Sequence, residues 1–155
     1  MSSTTHVQSD GSPDPEIISA RVFKAPRESV FRAFTDPDIL SRWWGPKGHT
    51  NTFYEFDPRP GGAWRFVMHG PDGSSYPMLK RFDEVVPHER ISLQHIDATH
   101  GFRMVMAFAD EAGGTRLTWH MRFDSAAEAE RVRELVLEAN EQNFDRLERQ
   151  LSAME

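Results

Sequence analysis

Between Thr50 and Phe123 apolar and polar residues alternate with a period of two, and on either side the period lengthens to that of a helix. The alternation is cleanest in three runs. Trp64, Phe66 and Met68 alternate with Arg65, Val67 and His69; Phe102, Met104, Met106 and Phe108 share one phase of 102–109; Leu117, Trp119, Met121 and Phe123 alternate with Arg116, Thr118, His120 and Arg122. Further strands are expected over 52–57, 76–86 and 91–96. They are separated by turn chemistry at Pro58–Gly62, Gly70–Gly73, Pro87–Arg90 and Glu111–Gly114. Such a pattern predicts an antiparallel sheet with one solvated face and one buried face, the latter rich in aromatic rings and methionine.

Upstream, 16–25 reads as a strand with Ile18, Ala20 and Val22 on one phase, ended by Pro26. A short helix over 27–35 follows. Asp36 then caps a second helix that has Pro37 at its first position and carries Ile39, Leu40, Trp43 and Trp44. Gly45-Pro46-Lys47-Gly48 breaks it. Downstream, Ser125 and Glu128 form a capping box for one long helix running to Glu155. Its apolar stripe is Val132, Val136, Ala139, Leu147, Leu151 and Met154, and Asn140 and Asn143 fall on or beside that stripe. Two readings of these amides stay open: bonds to a loop, or the polar side of a cavity. The inventory predicts an α+β domain, a curved sheet of about seven strands in the order β-α-α-β6-α gripping the long helix. The six later strands pair in sequence order and the first closes one edge.

At 155 residues the chain fits one domain, placed at 15–155, with the polar, Pro/Gly-punctuated 1–14 expected to be a disordered tail. A net charge of -6 without a basic run argues against nucleic acid as partner. The absence of cysteine excludes thiolate metal sites. No stretch looks like a membrane span or a signal peptide, so the default is a soluble cytoplasmic protein. No phosphate loop, nucleophile elbow, zinc helix or dinucleotide fingerprint occurs, and no cofactor, metal or catalytic residue is expected.

Four spaced segments carry a family resemblance. Trp43-Trp44-Gly45-Pro46-Lys47-Gly48, Asp57-Pro58-Arg59-Pro60-Gly61-Gly62, Pro71-Asp72-Gly73 and Glu84-Val85-Val86-Pro87-His88-Glu89-Arg90 resemble homologues of the activator of the heat-shock protein 90 ATPase. That family lies within the START and birch-pollen-allergen superfamily, also called SRPBCC or polyketide cyclase-like. The likeness runs from about Ile17 to Leu151 and implies the helix-grip fold. It also implies three functional classes: a small-ligand binder, a co-chaperone-like interaction protein, or an enzyme of cyclase or hydrolase type.

From the residues themselves, the first class is favoured. A curved sheet cannot be filled by one helix with two amides on its stripe unless solvent or ligand shares the space. The expected ligand-binding set is Trp64, Phe66, Met68, Met104, Met106, Trp119 and Met121 on the sheet, with Asn140 and Asn143 on the helix. Trp43, Trp44 and His49 form a movable rim. His95 shares a strand face with Ile91 and Leu93, which fits either a ligand contact or a partnered structural histidine. The expected cargo is a small hydrophobic or aromatic molecule held without chemistry. A chaperone-like protein partner is the alternative, and an enzyme using His95 or Asn143 the third. Both monomer and homodimer remain open.

Overall fold

The structure, a computed structural model, describes residues 15–97 and 101–154, so the expectation for the 1–14 tail lies outside the described residues. The elements run β1 (Glu16–Phe23), α1 (Arg27–Thr35), α2 (Pro37–Trp43), β2 (Thr50–Phe56), β3 (Ala63–His69), β4 (Ser75–Val86), β5 (Arg90–His95), β6 (Phe102–Glu111), β7 (Gly114–Phe123) and α3 (Ala126–Ala153). One antiparallel sheet takes the order β1-β7-β6-β5-β4-β3-β2, so the six later strands pair in sequence order and β1 closes the β7 edge. This is the expected α+β helix-grip arrangement.

The alternation sets the strand phases as read, except where a bulge or a polar partner intervenes. Trp64, Phe66, Met68, Met104, Met106, Trp119 and Met121 are buried, while Arg65 is exposed and Thr118 and His120 are half-buried. Between Phe53 and Glu55 the β2–β3 register shifts, so Phe53 and Phe56, three residues apart, both pack on the core with rings 5.7 Å apart. A second shift between Phe82 and Glu84 turns Phe82 and Val85 to the core in the same way.

In β1 the phase is the reverse of the apolar reading. Ile17, Ser19 and Phe23 are buried, and Ile18, Ala20 and Val22 face out. The inner face of this strand is partly polar because α3 requires it. Asn140 Nδ2 donates to Ser19 Oγ at 3.1 Å. Arg21 crosses the Phe144 ring, 5.4 Å from its centroid, to reach Glu141 at 2.7 Å and Asp145 at 3.0 Å.

Ser125 caps α3 through the Glu128 N–H. The helix buries Ala129, Asn140, Asn143, Phe144, Leu147 and Leu151, and leaves Val132 and Val136 only half-covered. Phe144 was not part of the expected stripe, yet it is fully buried and meets Phe23 and Trp119 edge-on or tilted, at 5.9 and 5.4 Å. The helix packs on β1, β7, α1 and α2. Among the described residues it makes no comparable approach to β3, β4 or β5. That side of the concave face is filled by side chains, with the Trp44 indole just after α2 set against Trp64 of β3 and backed by Trp43.

The segment after α2 is bound down by α3. Asn143 Oδ1 accepts from Gly45 N–H at 2.8 Å, and Gln142 Oε1 accepts from Lys47 N–H at 3.0 Å. Arg146 donates to the carbonyls of Arg42, Gly45 and Pro46, each at 3.0 Å. Gly45 takes φ 108° and Gly48 φ 85°, values an L side chain seldom adopts.

Two outcomes are expected. Asn143→Leu leaves the buried Gly45 N–H without an acceptor and should destabilise the domain by about 1–3 kcal/mol. In a domain of this size that is a fall in Tm of several degrees. An unchanged or raised Tm would show that the amide does not hold the loop. Gly62→Ala should cost at least as much, because a Cβ there would lie 2.0 Å from the Asp57 carbonyl oxygen. Differential scanning calorimetry of both variants checks this.

Candidate functional site

The centre of the candidate site is a ring rather than a void. Trp44 is buried, with its indole 5.6 Å from that of Trp43, 5.0 Å from Trp64 and 5.3 Å from Trp119, the last nearly parallel. Trp64 in turn stacks on Phe66 at 4.7 Å. These contacts add to burial by offset and edge-to-face geometry. Trp43 donates its indole N–H to the Ala33 carbonyl at 2.9 Å. The indole nitrogens of Trp64 and Trp119 are buried with no hydrogen-bond partner among the described residues.

A third donor stands beside them. Lys80 lies between Met78 and Phe82 on β4 and points inward with them, leaving only 4% of its surface exposed. Its Nζ is 3.1 Å from His95 Nδ1. It also stands 5.3, 5.9 and 6.0 Å from the ring centroids of Phe102, Trp44 and Trp64. No carboxylate among the described residues pairs with it. Three aromatic faces favour the ammonium form, but removal from water opposes it more strongly and pushes the amine down to about 7. His95 is pushed down to about 4, first by burial and then by the Lys80 charge, against a smaller pull from Asp97. At neutral pH the imidazole is therefore uncharged, and its Nδ1 shares a hydrogen bond with the Lys80 amine. Lys80 formed no part of the expected ligand-binding set. It shares the phase of Met78 and Phe82 in a strand that also carries Arg81, Asp83 and Glu84, so the sequence alone does not single it out.

His95 connects this interior to the surface. It stacks on Phe102 at 4.8 Å, and both line a cleft of about 530 Å³ at the β5–β6 end of the sheet, bordered also by Asp97, Arg103, Arg122 and Asp124. Phe102 and Phe123, 5.4 Å apart, belong as well to a groove of about 250 Å³ between the sheet and the first half of α3. Met121, Val132, Leu135 and Val136 complete the apolar side of that groove. Leu135 is 73% exposed there.

Of the expected ligand-binding residues, Trp43 joins the ring set through Trp44 and His95 lines the cleft, and the others divide into three groups. Trp44, Trp64, Phe66 and Trp119 lie in one linked set of rings, with Met68, Met104, Met106 and Met121 buried in the same core. Asn140 and Asn143 are buried but engaged. Asn140 donates to Ser19 and lies 3.7 Å from Met121 Sδ; Asn143 holds Gly45 and donates to the Ala139 carbonyl at 3.3 Å. His49 sits on the loop surface, its Nδ1 3.3 Å from the Lys47 carbonyl and its ring tilted toward Tyr76 on β4. Among the described residues, no cluster of three or more His, Asp or Glu side chains could hold a metal ion. No helix among the described residues is long and apolar enough to cross a membrane.

Lys80 and His95 are bases whose folded values lie below their unfolded ones, so the unfolded chain binds their protons more readily. Stability therefore rises with pH from about 7 to the ordinary 10.5 on account of Lys80, and from about 4 to 6.5 on account of His95. Lys80→Met removes the first rise. Its Tm should exceed that of the parent at pH 7, with the gap shrinking toward pH 10. A gap equal at both pH values would show that Lys80 is not a buried, proton-shedding amine.

No curated protein matches the sequence. Solved structures do share the fold. A protein of Chromobacterium violaceum is 27% identical, with a TM-score of 0.79 over 88% of this chain and 96% of its own. One from Mycobacterium smegmatis is 27% identical, with a TM-score of 0.80 over 91% and 93%. A protein of Nitrosomonas europaea, 21% identical, superposes with a TM-score of 0.83 over 97% of this chain and all of its own. The family model described as "Activator of Hsp90 ATPase homolog 1-like protein" matches residues 24–152. With most of the chain covered by that match and its helix-grip architecture in place, this protein belongs to the activator of Hsp90 ATPase homolog 1-like family.

Proposed function

We propose that the protein binds a small, largely apolar or aromatic molecule between the sheet and its helices, and holds it without chemical change. The observation that supports this most directly is the set of three donors around Trp44. Among the described residues, the Trp64 and Trp119 N–H groups have no acceptor, and Lys80 has only His95. A core selected for packing alone would place apolar groups at such positions, because each unpaired buried donor costs about 1–3 kcal/mol. Donors facing an aromatic, Met-rich interior suit a ligand that is apolar over most of its surface and carries a few acceptors. The loop bearing Trp44 is the rim: it hangs from α3 by side-chain hydrogen bonds to its backbone, with glycines at both ends of the Gly45–Gly48 turn.

A protein partner is the second reading. The family description and the exposed Leu135 beside the α3 groove favour it.

Tryptophan emission and melting temperature, recorded against a panel of hydrophobic ligands, separate the two. A ligand at one hundred times its Kd should stabilise the fold by about 2.7 kcal/mol. It should also alter the emission of the buried indoles. If no ligand in the panel moves either signal, the small-molecule reading falls and the protein-partner reading stands.

A further inference from the structure

We infer that the molecule bound by this protein is an apolar acid, whose carboxylate is held by Lys80 and whose tail lies toward the apolar groove beside α3. This rests on the ligand-binding reading above and names the chemical class of the ligand.

Three observations support it. Among the described residues, the aromatic interior holds two indole N–H groups without an acceptor, on Trp64 and Trp119, and the Lys80 amine bonded to His95 alone, so these three call for an acceptor; Asn51 Oδ1, the other unpartnered buried atom, belongs to an amide that donates to the Trp44 carbonyl. One of these donors is an amine able to carry a full charge, inside the protein and without a carboxylate among the described residues. A buried cation lacking its counter-ion is costly, and an incoming carboxylate supplies that counter-ion. Finally, the amine is separated from the outside by a thin wall. His95, at 3.1 Å from Nζ, and Phe102, whose ring centroid is 5.3 Å from Nζ, also line the surface cleft of about 530 Å³. Phe102 is shared with the apolar groove beside α3. A rotation of this stacked pair would open Lys80 to an acid head and leave an apolar path for its tail.

Arginine at the cleft rim is the competing anchor for an anion. Arg103 already pairs with Asp83 at 3.3 Å and Arg122 with Glu16 at 3.2 Å, whereas Lys80 has no such pairing among the described residues. The charged or titratable groups facing the amine are His95 on β5 and, beyond it at the cleft, Asp97, Arg103, Arg122 and Asp124; α2, β3 and β6 present aromatic rings.

Matched pairs of probes test the inference: decanoate with 1-decanol, and 4-phenylbutyrate with 4-phenyl-1-butanol. Their dissociation constants are measured by tryptophan emission and isothermal titration calorimetry. The parent protein should prefer each acid at least tenfold. Lys80→Met should lose that preference while still binding the alcohols, and Arg122→Gln should keep it. Calorimetry at pH 8.5 in two buffers of different ionisation enthalpy should show proton uptake on binding the acid, and none on binding the alcohol. This readout needs no variant to fold. Equal binding of acid and alcohol, an acid preference that survives in Lys80→Met, or acid binding with no proton uptake overturns the assignment to Lys80 while leaving the ligand-binding reading intact. If neither member of any pair binds, that reading fails as well.

Discussion

One helix covers a seven-stranded curved sheet only in part, and most of the arrangement follows from how the remainder is closed. α3 lies along β1 and β7. The concave surface of β3, β4 and β5 is roofed by side chains, with Trp44 delivered from the end of α2 and backed by Trp43. A roof made by a loop must be held down, and the long helix does this with polar groups. Asn143, Gln142 and Arg146 bond the backbone of the Gly45–Lys47 segment, and Asn140 bonds Ser19 on the edge strand. The amides that interrupt the apolar stripe are therefore the attachments of the roof and of the sheet edge. Each has a partner, which removes the desolvation cost that a bare amide would carry.

The same economy does not extend to β4 and its neighbours. Lys80, Trp64 and Trp119 put donors into an aromatic interior without a matching set of acceptors among the described residues. Substitution of a buried polar group by a well-packed apolar one is often neutral or stabilising. Packing thus gives no reason for a lysine between Met78 and Phe82. It stands behind His95 and Phe102, at the wall of the cleft, which is the placement the proposed ligand reading draws on.

Much of the fold was legible because the period of two runs cleanly through β3, β6 and β7, and because turn residues mark the strand ends. β1 was misread for a physical reason. Its inner face meets a polar stretch of α3, so Ser19 and Arg21 point in while Ile18 and Val22 point out. Phe144 escaped the expected helix stripe, which the two asparagines beside it had blurred. In β2 and β4, register shifts place residues three apart on one face, which a strict alternation cannot anticipate. The candidate site was legible as a ring of tryptophan and methionine, but Lys80 was not. Single lysines are ordinary on solvent faces, and only the phase of β4, fixed once it pairs with β3 and β5, turns this one inward. The same pairing brings His95 against it, joining two residues fifteen apart in sequence.

The central claim is that this interior is completed by a small molecule. Native mass spectrometry of the protein purified from the cells that produce it tests that claim most directly. The account calls for a species heavier than the bare chain by the mass of one small apolar molecule, returning to the bare mass on denaturation. A population at the bare-chain mass alone, in protein taken from its own cells under gentle conditions, would contradict it.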